Sequence, residues 1–220
     1  MARAGAETAA ASPAVAVFAR APVPGEVKTR LIPRLGAAGA ARLQAALVRR
    51  ALQTATDAGL GPVSLWCAPD CAHPVLAACR DDFGVSLLPQ RGADLGARMG
   101  NAFAALCRPR GALLIGTDCP ALTVAEIRAA AIALREGHDA VFVPAEDGGY
   151  VLVGLARPCA ALFEGIAWGS SRVMTQTRQR LHAAGMRWRE LAMSWDVDRP
   201  EDVARLHASG LMADALHAIG

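Results

Sequence analysis

Lys28 is the only lysine among 23 basic residues, and it stands in the segment APVPGEVKTRL with Arg30 two positions on. Pro22, Pro24 and Gly25 make that segment a turn rather than a helix. A loop of this kind can aim backbone N–H groups and two cations at phosphate oxygens. Arg20 lies at its upstream edge, and Pro24 and Gly25 form its bend. The same residues also read as a surface loop with solvated charges. The segment is not a Walker A loop, and the chain has no G-x-G-x-x-G dinucleotide fingerprint.

Acids, glycines and arginines recur in five further segments. In LLIGTDCPAL, Asp118 follows an apolar run, where it either caps a turn or binds a metal. Mg²⁺, or Mn²⁺ in its place, needs only one or two carboxylates when waters and substrate phosphates complete the shell. Cys119 beside it reads as a space-filler, since no histidine partner is near in sequence. In PAEDGGYVLVG, Asp147, Gly148 and Gly149 suit a hairpin turn. They also suit a close substrate approach over the glycines, with Asp147 or Glu146 as acceptor ligand or base. In SWDVDRPEDV, Asp196 and Asp198 alternate with Val197, so an extended backbone points both carboxylates the same way. Two like charges there call for a cation or donors. Asp198 reads alternatively as a cap for the helix starting near Pro200. Arg91 and Arg98 in QRGADLGARMG can reach a phosphate or a base, or be solvated. Trp168 and Arg172 in GIAWGSSRV are candidates for an acceptor pocket.

Short β-branched runs alternate with longer Ala/Leu/Arg segments of helical period. Strands are expected at Val15–Ala19, Val63–Cys67, Val85–Leu88, Ala112–Gly116, Ala140–Pro144, Val151–Leu155 and Trp188–Ala192. Helices are expected at Ala37–Ala58, Pro74–Asp82, Leu95–Leu106, Val124–Glu136, Ser171–Ala184 and Pro200–Ala208, with a further turn or two within Leu211–Ile219. Asp94 and Thr123 are N-cap candidates, and Pro200 suits a first helical turn. This alternation implies a mostly parallel sheet with helices on both faces. Ligands of such sheets sit at the carboxyl ends of strands where strand order reverses. The polar segments above follow strands.

The chain has 220 residues, 53% hydrophobic and 20% charged, with a net charge of +3. That composition suits one globular domain over residues 14–220, after a disordered lead-in over residues 1–13. The near-even charge argues against a nucleic-acid partner. No apolar run nears the roughly 18 residues of a membrane span, and the first residues lack a signal peptide's apolar stretch. A cytoplasmic protein without membrane contact is expected. Six cysteines without a C-x-x-C pair are expected as free thiols. Nothing in the sequence indicates an oligomeric state.

Taken in order, FARAPVPGEVKTRL, QRGADLGARM, GTDCPAL, DGGYVLVGL, IAWGSSRV and DVDRPEDV resemble the bacterial DUF2064 family. Its members are described as glycosyltransferase-like or as transferases associated with radical-SAM/selenodomain proteins, in the nucleotide-diphospho-sugar transferase (GT-A) superfamily. The resemblance implies a three-layer α/β/α GT-A fold with a mixed sheet. It also implies that Asp118 stands at the superfamily's D-x-D metal position, with Gly116 in place of the first acid, so the metal leans on Asp198. KTRL is similar to the phosphate loop of phospholactate guanylyltransferases, which maps Lys28 and Arg30 to phosphate ligands. DVDRPED is similar to a late metal-ligand motif of molybdopterin nucleotidylyltransferases.

Two reactions are therefore expected in nearly equal measure, both on a nucleotide substrate, a small-molecule acceptor and Mg²⁺ or Mn²⁺. One is nucleotidyl transfer from an NTP, with Lys28 and Arg30 on the phosphates. The other is glycosyl transfer from an NDP-sugar, with Asp147 as base. The alternative is a non-catalytic nucleotide-binding protein on the same fold.

Overall fold

A computed structural model describes residues 12–107, 110–213 and 217. Most of the expected lead-in and part of the expected tail helix lie outside these residues. Seven strands are present: β1 (Ala14–Arg20), β2 (Val63–Ala68), β3 (Ser86–Pro89), β4 (Ala112–Gly116), β5 (Ala140–Pro144), β6 (Tyr150–Leu155) and β7 (Trp188–Glu190). The helices are α1 (Ile32–Asp57), α2 (Pro74–Phe83), α3 (Leu95–Leu106), α4 (Val124–Arg135), α5 (Val173–Ala183) and α6 (Pro200–Ala208).

The strands form one sheet in the order β3-β2-β1-β4-β6-β5-β7. β1 pairs parallel with both β2 and β4, and β5 pairs parallel with β7. β6 runs antiparallel to β4 and to β5. It is the one reversed strand, and it reverses because Asp147–Gly149 turns the chain straight back after β5. Strand order switches between β1 and β4, so the crevice beyond their carboxyl ends is where a ligand fits.

Alternation along β1 explains the layers. Val15, Val17 and Ala19 face a core built with Val48 and Leu52 of α1, Leu76 of α2 and Ile127 of α4. Ala16 and Phe18 face the other core, with Met99 and Phe103 of α3 and Leu181 of α5. The result is a three-layer α/β/α sandwich. α6 lies outside this sandwich, its Val203 and Leu206 packed with Val197 on Leu43 and Leu47 of α1.

Helix starts follow local chemistry. The Asp94 carboxylate accepts from Ala97 N (2.8 Å), and Thr123 forms a reciprocal capping box with Glu126. The largest boundary difference from expectation is at the start of α1. α1 begins at Ile32 rather than Ala37, because Pro33 opens a first turn and Gly36 then breaks the path at φ 67° and ψ 165°. That broken turn carries the phosphate-loop candidates onto the long helix.

Candidate functional site

The cleft at the switch point has a volume of about 630 Å³. Its wall includes Arg20 at the end of β1, Lys28 and Arg30 from the segment after it, Asp118 from the loop after β4, and Asp147 and Gly149 from the β5–β6 turn. Trp168, Asp196 and Asp198 complete it from the later segments. Nine residues expected from sequence therefore share one cavity. They come from five separate stretches of chain, and the sheet topology is what joins them.

Lys28 sits differently from the expected exposed loop cation. Its backbone is left-handed (φ 48°), and its side chain is only 4% exposed. Nζ lies 2.8 Å from Asp118 Oδ1 and donates to Val197 O at 2.6 Å. Thr117 Oγ1 donates to the same Asp118 oxygen at 3.3 Å. Gln44, buried on α1, donates to Thr117 Oγ1 (3.3 Å) and reaches Arg20 O (3.5 Å). Val197 N donates to Asp118 O at 2.8 Å, which stitches the late acidic segment to the β4 loop. Gln44 and Thr117 thus orient Asp118. Gln44 carried a signal in the sequence: it is a polar residue inside the apolar stripe of α1, between Ala40 and Leu47/Val48.

Asp196 and Asp198 both reach the cleft while Val197 between them is fully buried, as alternation requires. Their roles divide. Asp198 pairs with the Arg30 guanidinium. It does not cap α6; Asp202 does, accepting from Asp198 N (3.0 Å) and Arg199 N (2.6 Å). Asp196 has its pKa raised to about 6, first by burial and then by the neighbouring carboxylates Asp147 and Asp118.

Several expected site residues lie elsewhere. Pro24, Gly25, Arg91, Arg98 and Gly148 are absent from the cleft wall. Arg98 Nε donates to Gly92 O (3.2 Å) and closes its own loop. Arg91 contributes its carbonyl to Asn101 Nδ2 (2.8 Å). Gly148 is close-packed against the Ser171 carbonyl, so the approach it permits is that of the protein's own backbone. Arg172 is likewise outside the wall. Glu146 turns away and takes a two-pronged bond from Arg205 (2.7 and 3.0 Å), which holds its carboxyl below the usual range. Cys119 is buried with Sγ 3.1 Å from Ser194 Oγ, and burial pushes its thiol pKa up, which suits a space-filler.

The far wall is aromatic. Trp168 meets Tyr150 edge-on at 6.4 Å, and Tyr150 meets Phe142 at 5.2 Å. The Trp168 indole lies directly over Gly96 of α3, where a Cβ would come within 2.8 Å of Nε1. Tyr150, like Gln44 and Thr117, was not among the residues expected from sequence.

Among the described residues, no three His, Cys, Asp or Glu side chains already converge on one metal position. The donor set still suits a divalent ion of the Mg²⁺ type, which takes few protein ligands and fills its shell with phosphates and water. Asp118 is half-exposed to the cleft, and burial together with the Asp147 and Asp118 carboxylates raises the pKa of Asp196. Asp118 and Asp198 each pair with a cation, Lys28 and Arg30 respectively, while Asp196 lies beside the Asp147 and Asp118 carboxylates.

A stability test follows from Asp196. Its raised folded pKa means the ionised form is penalised above about pH 6, and the penalty is relieved as pH falls towards the ordinary value of 3.8. Asp196→Asn is expected to raise the Tm of metal-free protein by a few degrees at pH 8, with the gain shrinking at pH 5. Added Mn²⁺ together with diphosphate should stabilise the wild type more than the variant. Thermal melts at the two pH values, with and without Mn²⁺ and diphosphate, decide it; a variant less stable at pH 8 contradicts the reading.

No helix among the described residues is long and apolar enough to cross a membrane. No curated protein matches the chain by sequence. The chain is similar to a crystal structure from Desulfovibrio desulfuricans G20, provisionally named a nucleotide-diphospho-sugar transferase. The TM-score is 0.80 at 28% identity, covering 91% of this chain and 88% of that one. The fold is shared with 4-diphosphocytidyl-2C-methyl-D-erythritol synthase of Anaerococcus prevotii DSM 20548 (TM-score 0.61, 12% identity, 92% and 98% covered). It is also shared with a Mycobacterium tuberculosis H37Rv protein in complex with manganese (TM-score 0.51, 20% identity, 89% and 98% covered). The fold is therefore that of the nucleotide-diphospho-sugar transferases. The family model of DUF2064, described as an uncharacterized protein conserved in bacteria, matches residues 42–170, a stretch that holds Asp118, Asp147 and Trp168. By that match over more than half its length, the chain belongs to the DUF2064 family.

Proposed function

We propose that this chain is a divalent-metal-dependent transferase that takes a nucleoside triphosphate, moves its nucleotidyl group to a small acceptor and releases diphosphate. The observation that carries this is charge placement: Arg20 at the end of β1, with Lys28 and Arg30 from the loop after it, shares one cleft at the switch point with Asp118 and Asp196. Three cations suit a triphosphate better than a diphosphate, and a volume of about 630 Å³ suits a nucleotide-sized ligand. The cytidylyl chemistry in the name of the Anaerococcus protein and the manganese bound by the mycobacterial one support the same reading.

In this reading Lys28 and Arg30 neutralise the β- and γ-phosphates, and the acceptor oxygen attacks the α-phosphorus in line. Asp118 and Asp196 would hold a divalent metal, which would supply Lewis-acid stabilisation of phosphate oxygens when bound. The residues' contribution is positioning and charge stabilisation. Trp168 and Tyr150 form the acceptor end, where Asp147 can take the proton of an alcohol acceptor.

Glycosyl transfer from an NDP-sugar is the second reading, favoured by the name of the Desulfovibrio protein and by Asp147 on the cleft wall. The test is to offer each NTP and each common NDP-sugar with Mn²⁺ and follow thermal stabilisation first. A ligand at a hundred times its Kd adds about 2.7 kcal/mol. Acceptor trials then separate the readings by product: diphosphate for nucleotidyl transfer, NDP for glycosyl transfer. Binding with neither product would point to a nucleotide-binding protein without transferase activity.

A further inference from the structure

Lys28 is more enclosed than the charged groups beside it. It is 4% exposed, while Arg30 is 65% exposed and Asp118 is 50% exposed. Its ammonium lies between Asp118 Oδ1 at 2.8 Å and Val197 O at 2.6 Å. Those oxygens belong to the loop after β4 and to the segment that carries Asp196, the same two segments that would hold a metal. An ammonium so enclosed has almost no surface to offer a phosphate until it leaves. A divalent ion on Asp118 would stand next to that ammonium, and two cations at contact distance repel.

We infer that Lys28 is the built-in counter-ion of the Asp118 metal seat, so that metal and nucleotide phosphate bind well only together. An incoming metal displaces the ammonium from Asp118, and the freed ammonium finds its new partner in the phosphates. Each ligand then raises the affinity of the other by the same factor. The single lysine thereby couples the two halves of the site. An arginine would not be equivalent, because its planar fork is bulkier than a compact ammonium with rotatable donors. This inference rests on the metal reading of Asp118 above, and the experiment is arranged so that the two can fail separately.

The first arm measures Mn²⁺ binding to the full chain by electron paramagnetic resonance, with no nucleotide present. Lys28→Met is expected to bind Mn²⁺ at least about tenfold more tightly than the wild type, since the seat no longer has to be vacated. The second arm measures inorganic diphosphate binding by calorimetry in EDTA. Asp118→Asn is expected to bind diphosphate at least about tenfold more tightly than the wild type, because Lys28 is released. A folded Lys28→Met that binds Mn²⁺ no better than the wild type overturns the inference and leaves the metal reading standing. Absence of Mn²⁺ binding to the wild type and to Lys28→Met alike, even with diphosphate added, overturns both. Should Lys28→Met fail to fold, the second arm decides: unchanged or weaker diphosphate binding by Asp118→Asn overturns the inference.

Discussion

Asp118→Ala is expected to lose at least about a thousandfold in metal-dependent turnover, equivalent to about 4 kcal/mol of transition-state stabilisation. It is also expected to lose thermal stabilisation by Mn²⁺ while keeping its fold. The size follows from the local inventory. Gly116 stands where a second acid would share the load, Asp198 is paired with Arg30, and Asp196 and Asp147 are the other carboxylates on the cleft wall. Losing Asp118 therefore removes the carboxylate at the end of β4, and the ion is no longer fixed against the phosphates. The fold survives because the Asp118 side chain is half-exposed and no core contact depends on it. A stability cost does arise indirectly. Lys28 loses its partner while 4% exposed, and an uncompensated buried charge is expensive until it swings into solvent. The double variant Lys28→Met/Asp118→Ala separates the two effects: melting temperature recovers towards the wild type and turnover does not. Turnover by Asp118→Ala within tenfold of the wild type would remove Asp118 from the metal seat.

The frame of this site was legible in the sequence because strand patterning and caps are local. The limits of β4, β5, α3 and α6 match expectation at both ends, and the Thr123 capping box is written in four consecutive residues. From that alternation the switch-point rule could place the loops after β1 and β4 side by side without any structure. The Asp196/Asp198 register was legible for the same reason, since a period of two is a backbone property.

Pairing was not legible, because it is set by tertiary distance. Arg30 and Asp198 are 168 positions apart, and Lys28 meets Val197 across 169. Both links depend on where the Val197 segment docks against α1, through Leu43 and Leu47. Lys28 looked like a displayed cation because charged residues in Pro/Gly turns are usually solvated. Its burial comes from the left-handed backbone at φ 48°, a geometry that no residue type in KTRL announces. Glu146 and Asp147 are adjacent and chemically alike, yet Arg205 claims one and leaves the other on the cleft.

Gly148→Ala is expected to be the most destabilising single-methyl change in the site, at about 3–5 kcal/mol, or about 10 °C in Tm. Two costs add. Gly148 has φ 90°, a conformation that alanine adopts only under strain. A Cβ there would also lie 2.2 Å from Ser171 O and 2.7 Å from Ser171 C, and backbone cannot rotate aside as a side chain can. The carbonyl of Gly148 accepts from Met174 N at 2.8 Å, so the turn is bound to the start of α5 and cannot simply lift away. Gly185→Ala isolates the strain term: its φ is 62° and nothing lies within 4 Å of an added Cβ, so it should cost about 1 kcal/mol. Relief of the Gly148 clash requires either the Asp147 turn or the Trp168–Ser171 segment to shift, and both are cleft walls. Activity should consequently fall with stability in Gly148→Ala and stay level in Gly185→Ala, as paired melts and turnover assays would show. Equal melting temperatures for the two variants would mean that the turn yields freely and that Gly148 places nothing in the site.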